Sequence, residues 1–413
     1  MCESWLNDDN YAELEETVIE LMDEYMDSHT LSLSISSFPT TMIQDLCSLL
    51  FDDLVSGGIC GDSDDDFETI HEIVDNTFKL YWKQYNTMPL RQQSFTDFEA
   101  ADLSLVASKI MQIEAVPKQQ QRSKEWYETR YNMITASSIS KALGSAAQVN
   151  SLICEKCKPL VMYSCDYVNC DSPLHWGVKY EPITAMIYEH MYNTCVATEF
   201  GCIPHRDYPF IGASPDGIVV DPNNERYGHM VEIKNIVNRD ITGIPKDEYW
   251  IQMQVQLEVC DLEYCDFIET RIKEYEDADE TFYDDIACQY RGIILHFVDS
   301  NALDPRSAPP HYVYMPLSIP IDRSAIDIWT QNIIDKKTDK YVLYKTHYWY
   351  LDEISCIVVK RNREWFYVAI PQFTNVWHTI LKERVDGYEH RVPKKRVDKP
   401  FALIKLDENG NVV

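Results

Sequence analysis

Two short segments separated by a turn constrain the fold of this chain more than any other feature. In the first, Gly212-Ala-Ser-Pro-Asp-Gly217, Asp216 stands where a turn enters a strand, and the second is Val231-Glu-Ile-Lys-Asn235. The Asp-Pro-Asn-Asn sequence between them supplies a turn, so the two strands are predicted to pair as a hairpin. Because residues two apart on a strand project from the same face, Asp216, Glu232 and Lys234 are predicted to converge at one end of it.

Two carboxylates beside a lysine favour one kind of chemistry. Asp216 and Glu232 would repel each other unless a cation binds between them, and hard oxygen ligands favour Mg²⁺ or Mn²⁺. The ammonium group of Lys234 can orient an attacking water or help to deprotonate it. This set suits hydrolysis of a phosphodiester. The Glu-x-Lys triplet alone is a weak signal, because a surface strand with a solvated ion pair contains the same residues.

Helix-like and strand-like segments alternate from about residue 123 onwards, which predicts a mixed β-sheet flanked by helices. The predicted strands are 208–213, 217–220, 230–234, 266–270, 293–298 and 312–317. The predicted helices are 126–131, 136–143, 181–192, 249–259 and 325–334, the second of them capped by Thr135. A hairpin of residues 355–359 and 365–369 is predicted to close the core.

Acidic residues are concentrated at the N-terminus. The 413-residue chain has a net charge of −30, and residues 1–78 contain 20 Asp and Glu with no Lys or Arg. Helical periodicity predicts helices over 11–28, 40–54 and 67–85. An even charge of −30 would repel nucleic acid, but this distribution leaves the rest of the chain only mildly acidic. The charge therefore does not exclude a DNA substrate.

Four of the 13 cysteines lie close together in sequence. Cys154, Cys157, Cys165 and Cys170 are ligands of the type that a structural Zn²⁺ needs. The alternative is a cysteine-rich helix and loop without metal, because the second pair is widely spaced. An odd number of cysteines without a signal peptide favours a reducing compartment, and no apolar run is long enough to span a membrane. An intracellular protein, neither secreted nor membrane-bound, is expected.

Five motifs follow one another over residues 123–260. They are Ser123-Lys-Glu-Trp-Tyr-Glu-Thr-Arg130 with Ile134-Thr-Ala-Ser137, Trp176-Gly-Val-Lys-Tyr-Glu181, Ser214-Pro-Asp-Gly217, Val231-Glu-Ile-Lys234 and Tyr249-Trp-Ile-Gln-Met-Gln-Val-Gln256. In this order they resemble the lambda exonuclease and YqaJ-type viral recombinase family of the PD-(D/E)xK nuclease superfamily, in the form found in large eukaryotic DNA viruses. The resemblance implies a restriction-endonuclease-like α/β fold, a mixed β-sheet flanked by helices.

The resemblance also implies catalytic roles. Asp216, Glu232 and the Ile233 carbonyl group would bind Mg²⁺ or Mn²⁺, with two cations per site, and Lys234 would activate the water. Two further residues would assist: Glu181 would support the second metal, and Gln252 would hold the lysine or the water. The alternatives are a helix N-terminal charge for Glu181 and an ordinary polar-face position for Gln252, and more so for Gln254 and Gln256.

A 5′ phosphate would be held by Arg130 and Ser137 in the same resemblance. Arg is a bidentate phosphate donor, and Ser137 lies in the first turn of a predicted helix, whose N–H groups favour anions. Arg130 could instead pair with Glu125 or Glu128, and Ser137 could be a small packing residue.

The expected function is that of a Mg²⁺-dependent 5′-to-3′ exonuclease on double-stranded DNA in viral recombination or replication. An endonuclease, a nuclease acting on RNA and a non-catalytic DNA-end-binding scaffold are the alternatives. Expected partners are double-stranded DNA ends, a single-strand-annealing protein and further copies of the chain, in the cytoplasm or nucleus of a host cell. The expected domains are an acidic helical module (1–115), an exonuclease-like domain (116–390) and a basic tail (391–413).

Overall fold

A computed structural model of the chain describes most of the sequence. The described residues are 6, 8–35, 37–85, 102–119, 123–160, 169–170, 172–276, 281–302, 308–337 and 340–392. They divide into two compact units, one of Met1–Ser140 with Leu160–Pro371 and one of Lys141–Pro159 with Gln372–Val413. The predicted boundaries at residues 115 and 391 stay predictions, and the basic residues after 392 lie outside the described part.

Helices alone make up the described N-terminal region, as predicted. They are α1 (Asp8–Ser28), a 3-10 turn (Thr30–Ser34), α2 (Phe38–Ser56), α3 (Asp64–Tyr85) and α4 (Leu103–Glu114). In α1 the buried residues Leu14, Val18 and Met22 recur every four positions, as expected of an amphipathic helix. Helix α4 was not predicted from the sequence; Asp102 caps it by accepting hydrogen bonds from the backbone N–H groups of Ser104 and Leu105.

The remaining elements alternate between helices and strands. The helices are α5 (Lys124–Tyr131), α6 (Ala136–Ile139), α7 (Ala146–Cys157), α8 (Pro173–Tyr192), α9 (Asp247–Cys260), α10 (Thr281–Asp284), α11 (Arg323–Lys337) and α12 (Arg363–Asp386). The strands are β1 (Ile134–Thr135), β2 (Val196–Ala197), β3 (Ile203–Pro204), β4 (Ile211–Ala213), β5 (Gly217–Val219), β6 (Met230–Asn235), β7 (Tyr264–Glu274), β8 (Arg291–Asp299), β9 (His311–Tyr314) and β10 (Tyr341–Lys360). None of the helices that the structure describes is long and apolar enough to cross a membrane.

The described strands form two sheets. The larger has the order β2-β5-β6-β7-β10-β8-β9, and the smaller has the order β1-β4-β3. The pairs β6–β7 and β1–β4 are parallel, whereas the other neighbours are antiparallel. The parallel pair β6–β7 is joined through α9, which is the crossover that parallel strands require. The predicted mixed sheet flanked by helices is therefore confirmed.

Helices α8 and α9 cover different sides of β6. On one side, Ala185 and Tyr188 of α8 pack in a buried cluster with Val231 and Ile233. Side chains alternate along a strand, so Glu232 and Lys234 project from the other side, towards α9. Glu232 and Lys234 thus face a different helix from Val231 and Ile233.

The predicted hairpin of residues 355–359 and 365–369 is wrong in its second half. Residues 355–359 belong to the long central strand β10, but Trp365 and Ala369 lie in α12. Asn362 caps this helix by accepting a 2.9 Å hydrogen bond from the N–H of Trp365. The buried residues Trp365, Ala369, Phe373 and Ile380 recur at helical rather than strand spacing.

The second compact unit contains α7 and the C-terminal part of α12. The side chain of Gln372 donates a 3.3 Å hydrogen bond to the carbonyl oxygen of Ala142. Arg391 donates a 2.6 Å hydrogen bond to Asn150 and forms an ion pair with Glu383. The bonds of Gln372 and Arg391 to Ala142 and Asn150 connect the second segment of the unit to the first.

Replacing Gly212 by alanine should lower the free energy of unfolding by about 1–3 kcal/mol, since overpacking forces neighbouring atoms to move. A Cβ at this position of β4 would overlap the sulfur of Met133 and lie 3.2 Å from Cys202 Sγ. Gly177→Ala is the control, because a Cβ there meets no atom within 4 Å, and it should be neutral or stabilising. Urea unfolding checks both, and a Gly212→Ala protein as stable as wild type would contradict the prediction.

Candidate active site

The predicted hairpin forms, and it brings Asp216 to Glu232 and Lys234. Gly217 pairs with Val231 and Ile218 with Met230 in the antiparallel register of β5 and β6. Asp216 comes directly before β5, and its Oδ2 accepts a 2.9 Å hydrogen bond from the N–H of Ile233. This backbone contact fixes the Asp216 carboxylate beside the segment that carries Glu232 and Lys234.

Glu232 is the centre of the candidate active site. Its side chain is 1% exposed and accepts hydrogen bonds from Gln252 Nε2 at 2.7 Å and from Gln256 Nε2 at 2.8 Å. The ammonium group of Lys234 also donates to Glu232 Oε1. Gln252 and Gln256 stand four residues apart on α9 and therefore share one face. The alternative of an ordinary polar face is wrong for both.

The charges in this site perturb one another. Burial, followed by the charge of Glu232, raises the pKa of Asp216 well above its ordinary value. Burial and the same charge also raise the pKa of Glu181. Burial alone would lower the pKa of Lys234, but the carboxylates of Glu232 and Asp216 raise it, so Lys234 is an ammonium ion at neutral pH. The site therefore contains crowded negative charge, which a bound cation would offset.

Glu181 lies on α8, in electrostatic range of Glu232 and Lys234. Its carboxylate has neither a hydrogen bond nor an ion pair with any other residue that the structure describes. The position of this carboxylate therefore depends on how the backbone of α8 is held against the sheet.

Three residues beside Lys234 were not predicted to take part. The ammonium group of Lys234 lies 4.9 Å from the ring centre of Tyr249, and the guanidinium of Arg239 lies 5.6 Å from the same ring. Arg239 forms an ion pair with Glu269, which is 1% exposed and is the strand partner of Lys234. Tyr249 begins one of the five motifs, but nothing in the sequence singled out Arg239 or Glu269.

A second polar cluster contains both residues predicted to hold a 5′ phosphate. Arg130 Nη2 donates to Thr135 Oγ1 at 3.3 Å and to Ser137 Oγ at 3.4 Å, and its guanidinium lies 4.5 Å from the ring centre of Trp126. Ser137 is exposed, which argues against a packing role. Thr135 stands at the N-cap position of α6, as predicted, but its hydroxyl makes no capping bond. The α-helix ends at Ile139 and continues only as a 3-10 turn (Ser140–Ala142), rather than as an α-helix to residue 143.

The two clusters are connected through β4. Thr135 on β1 is the strand partner of Gly212, and Gly212 precedes Asp216 by four residues. Four residues of extended chain span at most about 14 Å, so the backbone of Gly212, beside Thr135, lies within that distance of the backbone of Asp216.

The donor set of the larger cluster fits a hard divalent cation. Asp216, Glu232 and the Ile233 carbonyl group supply oxygen atoms, which Mg²⁺ and Mn²⁺ prefer. Among the residues that the structure describes, no three or more His, Cys, Asp and Glu side chains form a group that could hold a metal. The two carboxylates, joined by a backbone carbonyl group, supply fewer side-chain ligands than such a group contains. Mg²⁺ bound by so few protein ligands fills the rest of its coordination shell with water and substrate oxygens.

The predicted zinc site stays a prediction. Cys154 and Cys157 are buried on α7, and Cys157 donates a weak 3.6 Å hydrogen bond to the carbonyl oxygen of Ile380. Cys170 is partly buried, and Cys165 lies outside the described residues.

Comparison with known proteins finds one family whose model matches part of the chain. Residues 125–263 match the YqaJ-like viral recombinase domain. The match spans α5 to the end of α9 and contains Arg130, Glu181 and the whole Glu232 cluster. The resemblance inferred from the sequence is therefore confirmed for this YqaJ-like segment.

Relatives were also found for longer parts of the chain. An uncharacterized protein, R354, of Acanthamoeba polyphaga mimivirus is 26% identical over 334 residues, which are 73% of this chain and 59% of that protein. The chain therefore spans little more than half of this relative. Two crystal structures of LHK-Exo, an alkaline exonuclease from Laribacter hongkongensis, are 19% and 18% identical. Each match covers 65% of this chain and 95% of the other, with a TM-score of 0.35, and one of the two structures contains dAMP.

Proposed function

We propose that this chain is a metal-dependent nuclease that hydrolyses double-stranded DNA from a 5′ end. The observation that carries the proposal is the convergence of Asp216, Glu232 and Lys234 at one end of the β5–β6 hairpin, with the Glu232 carboxylate bonded by both Gln252 and Gln256. Two crowded carboxylates beside a lysine suit phosphodiester hydrolysis. The match of residues 125–263 to a viral recombinase domain supports the same substrate class.

Each residue of the site has a separate task in this proposal. Asp216, Glu232 and the carbonyl group of Ile233 would hold Mg²⁺ or Mn²⁺, which supplies positive charge to offset the charge of the phosphate. Gln252 and Gln256 hold the Glu232 carboxylate in place. Because Lys234 is an ammonium ion, it would donate a hydrogen bond that orients the attacking water or neutralises developing charge.

The Arg130 cluster favours an enzyme that begins at a DNA end. A guanidinium group with two neighbouring hydroxyl groups matches the acceptor oxygens of a terminal phosphate. The short connection from Thr135 through its strand partner Gly212 to Asp216 would place the phosphodiester of a nearby nucleotide at the carboxylates. This arrangement supports an exonuclease over an endonuclease.

The direct test uses a 5′-phosphorylated duplex labelled at its 3′ end. We expect each labelled strand to be shortened from its 5′ end in Mg²⁺ or Mn²⁺, and we expect no reaction in EDTA. A covalently closed circle should stay intact, because it offers no end. Cleavage of the circle would indicate an endonuclease, and cleavage of an RNA duplex at an equal rate would indicate a wider substrate range. Intact DNA in both cations would exclude the nuclease.

Replacing Arg130 by alanine should remove the preference for a phosphorylated end. Wild type should cleave a 5′-phosphorylated duplex at least about tenfold faster than a 5′-hydroxyl duplex, because one charge-assisted hydrogen bond from Arg130 to the phosphate contributes about 1.5–3 kcal/mol. The variant should cleave both duplexes at similar rates. Arg206→Ala, at an exposed arginine, is the matched control and should keep the wild-type ratio. An unchanged ratio in Arg130→Ala would show that the phosphate binds elsewhere.

The setting proposed for this activity is viral recombination or replication in a host cell. The viral recombinase domain and the mimivirus relative support it. A single-strand-annealing partner and self-association belong to the same proposal, and light scattering of the purified chain with and without DNA would measure the latter.

A further inference from the structure

We propose that Asn235 is a positioning residue that sets the Glu181 carboxylate against Glu232 and Lys234. This inference rests on the proposed nuclease function and adds to it a residue that none of the five motifs includes. Asn235 is the last residue of β6 and directly follows Lys234.

The Asn235 side chain connects three elements. Its Oδ1 accepts hydrogen bonds from Thr184 Oγ1 on α8 at 2.7 Å and from Thr270 Oγ1 on β7 at 2.8 Å. Its Nδ2 donates a 3.1 Å hydrogen bond to the carbonyl oxygen of Gly177 on α8. Both threonines are fully buried, so these bonds form where water does not compete.

The two contacts on α8 lie on either side of Glu181. Gly177 precedes Glu181 by four residues and Thr184 follows it by three, so all three positions share one helical face. Pro182 stands inside this helix and lacks an N–H, which leaves one carbonyl group of α8 without its helical partner. The helix is therefore weakened beside Glu181, where Asn235 bonds it to the sheet.

Glu181 has no side-chain anchor of its own among the described residues. Its distance from Glu232 therefore follows the distance of α8 from the end of β6, which Asn235 holds directly, whereas the neighbouring Lys179 and Tyr180 bond Glu274 on β7. A displacement of about 1 Å at a catalytic group lowers rates by up to roughly a hundredfold. Residues that orient metal ligands typically contribute tenfold to a hundredfold in metal affinity or activity.

The chain offers a matched control on the same helix. Asn224 Nδ2 donates a 2.8 Å hydrogen bond to the carbonyl oxygen of Tyr192, at the C-terminal end of α8 and far from Glu181 in sequence. Asn224→Ala therefore removes a bond of the same kind without touching the segment around Glu181. A purely structural role for both asparagines would make the two alanine variants behave alike.

Folding should survive the change at Asn235. Without Asn235, the hydroxyl groups of Thr184 and Thr270 still hydrogen-bond each other at 2.9 Å. Asn235→Asp is a second variant, in which the carboxylate still accepts from both threonines but cannot donate to the Gly177 carbonyl oxygen. It separates the loss of the helix contact from the loss of the whole side chain.

The test measures Mn²⁺ binding to the purified chain by calorimetry, and single-turnover cleavage of a 5′-phosphorylated duplex. We expect Asn235→Ala and Asn235→Asp to weaken Mn²⁺ binding and to slow cleavage at saturating DNA by about tenfold each. Asn224→Ala should match wild type in Mn²⁺ affinity and in cleavage rate, although its melting temperature should fall. In Glu181→Gln, adding Asn235→Ala should cause little further loss, because both changes affect the same carboxylate.

Three outcomes would overturn the inference. The first is an Asn235→Ala protein with the Mn²⁺ affinity and cleavage rate of wild type. The second is an equal loss of affinity and rate in Asn224→Ala and Asn235→Ala. The third is a double variant in which the losses caused by Asn235→Ala and Glu181→Gln add in full. A wild-type protein that binds Mn²⁺ but cleaves no DNA would instead contradict the proposed function. In that case, unequal Mn²⁺ binding by the two asparagine variants would still support the positioning role.

Discussion

Replacing Glu232 by glutamine should slow duplex cleavage by about a thousandfold or more, with affinity for DNA ends within about threefold of wild type. The Glu232 side chain is 1% exposed and bonded by Gln252, Gln256 and Lys234. Glutamine has nearly the same size as glutamate, but it lacks the negative charge with which a bound cation and the ammonium group of Lys234 interact. Single-turnover cleavage in Mg²⁺ measures the rate, and fluorescence anisotropy in EDTA measures binding.

A buried Arg–Glu ion pair elsewhere in the chain provides the control. The Glu383 side chain is 8% exposed and accepts a 2.7 Å hydrogen bond from Arg391 Nε. Glu383→Gln weakens this ion pair, which includes no residue of the candidate active site or of α8, so it should lower the melting temperature and retain cleavage within about tenfold. Cleavage by Glu232→Gln at near the wild-type rate would remove Glu232 from the mechanism.

The part of the site that could be predicted from sequence is the part that local rules determine. A turn joins two strands that are adjacent in sequence, so alternation along β6 and the position of Asp216 bring the carboxylates together. Arg130 and Ser137 are seven residues apart, and the short β1 strand between them returns the chain to the same cluster. In each case the sequence separation is small.

Contacts between distant segments could not be predicted in the same way. Asn235 bonds Thr184 and Gly177 on α8, which are 51 and 58 residues away, and Gln256 bonds Glu232 on β6, which is 24 residues away. Such pairs depend on the register and packing of whole elements, which hydrophobic periodicity does not specify. Glu269 beside Lys234 is a further example, because it becomes a neighbour only through the parallel pairing of β6 with β7.

The error at Trp365–Ala369 has a different cause. Apolar residues in a short run fit both a buried strand and one face of a helix, so periodicity over five residues cannot separate the two. The decisive features lie outside that run: the Asn362 cap before it and the buried residues Phe373 and Ile380 after it. A longer window would have favoured the helix.

The uneven charge of the chain is consistent with a DNA substrate. Among residues 11–78, all of the Asp and Glu side chains that the structure describes are exposed or partly exposed, and none is buried. The candidate active site instead combines its carboxylates with Lys234, Arg239 and Arg130. Repulsion of DNA by the helical module would act at long range and weaken with salt, whereas the proposed phosphate contacts at the site would be local.

Crowded carboxylates should also make the metal-free site unstable. Burial and the charge of Glu232 raise the pKa of Asp216 well above its ordinary value. A carboxyl group with a higher pKa in the folded than in the unfolded chain binds protons more readily when folded. Its ionised form therefore lowers stability above the folded pKa, and this loss disappears as the pH falls below the unfolded pKa, about 3.9.

Asp216→Asn should consequently raise the melting temperature in EDTA at about pH 8, by roughly 2 °C, since removing such a charge stabilises a chain by about 1 kcal/mol. Asparagine can still accept the hydrogen bond from the N–H of Ile233. The advantage should shrink as the pH approaches about 4, and Mg²⁺ should stabilise wild type more than the variant, because only the folded wild-type site gains a cation. Asp207→Asn, at an exposed aspartate, should melt like wild type in both buffers. Calorimetry that finds Asp216→Asn less stable than wild type in EDTA at about pH 8 would refute the account of crowded charge at this site.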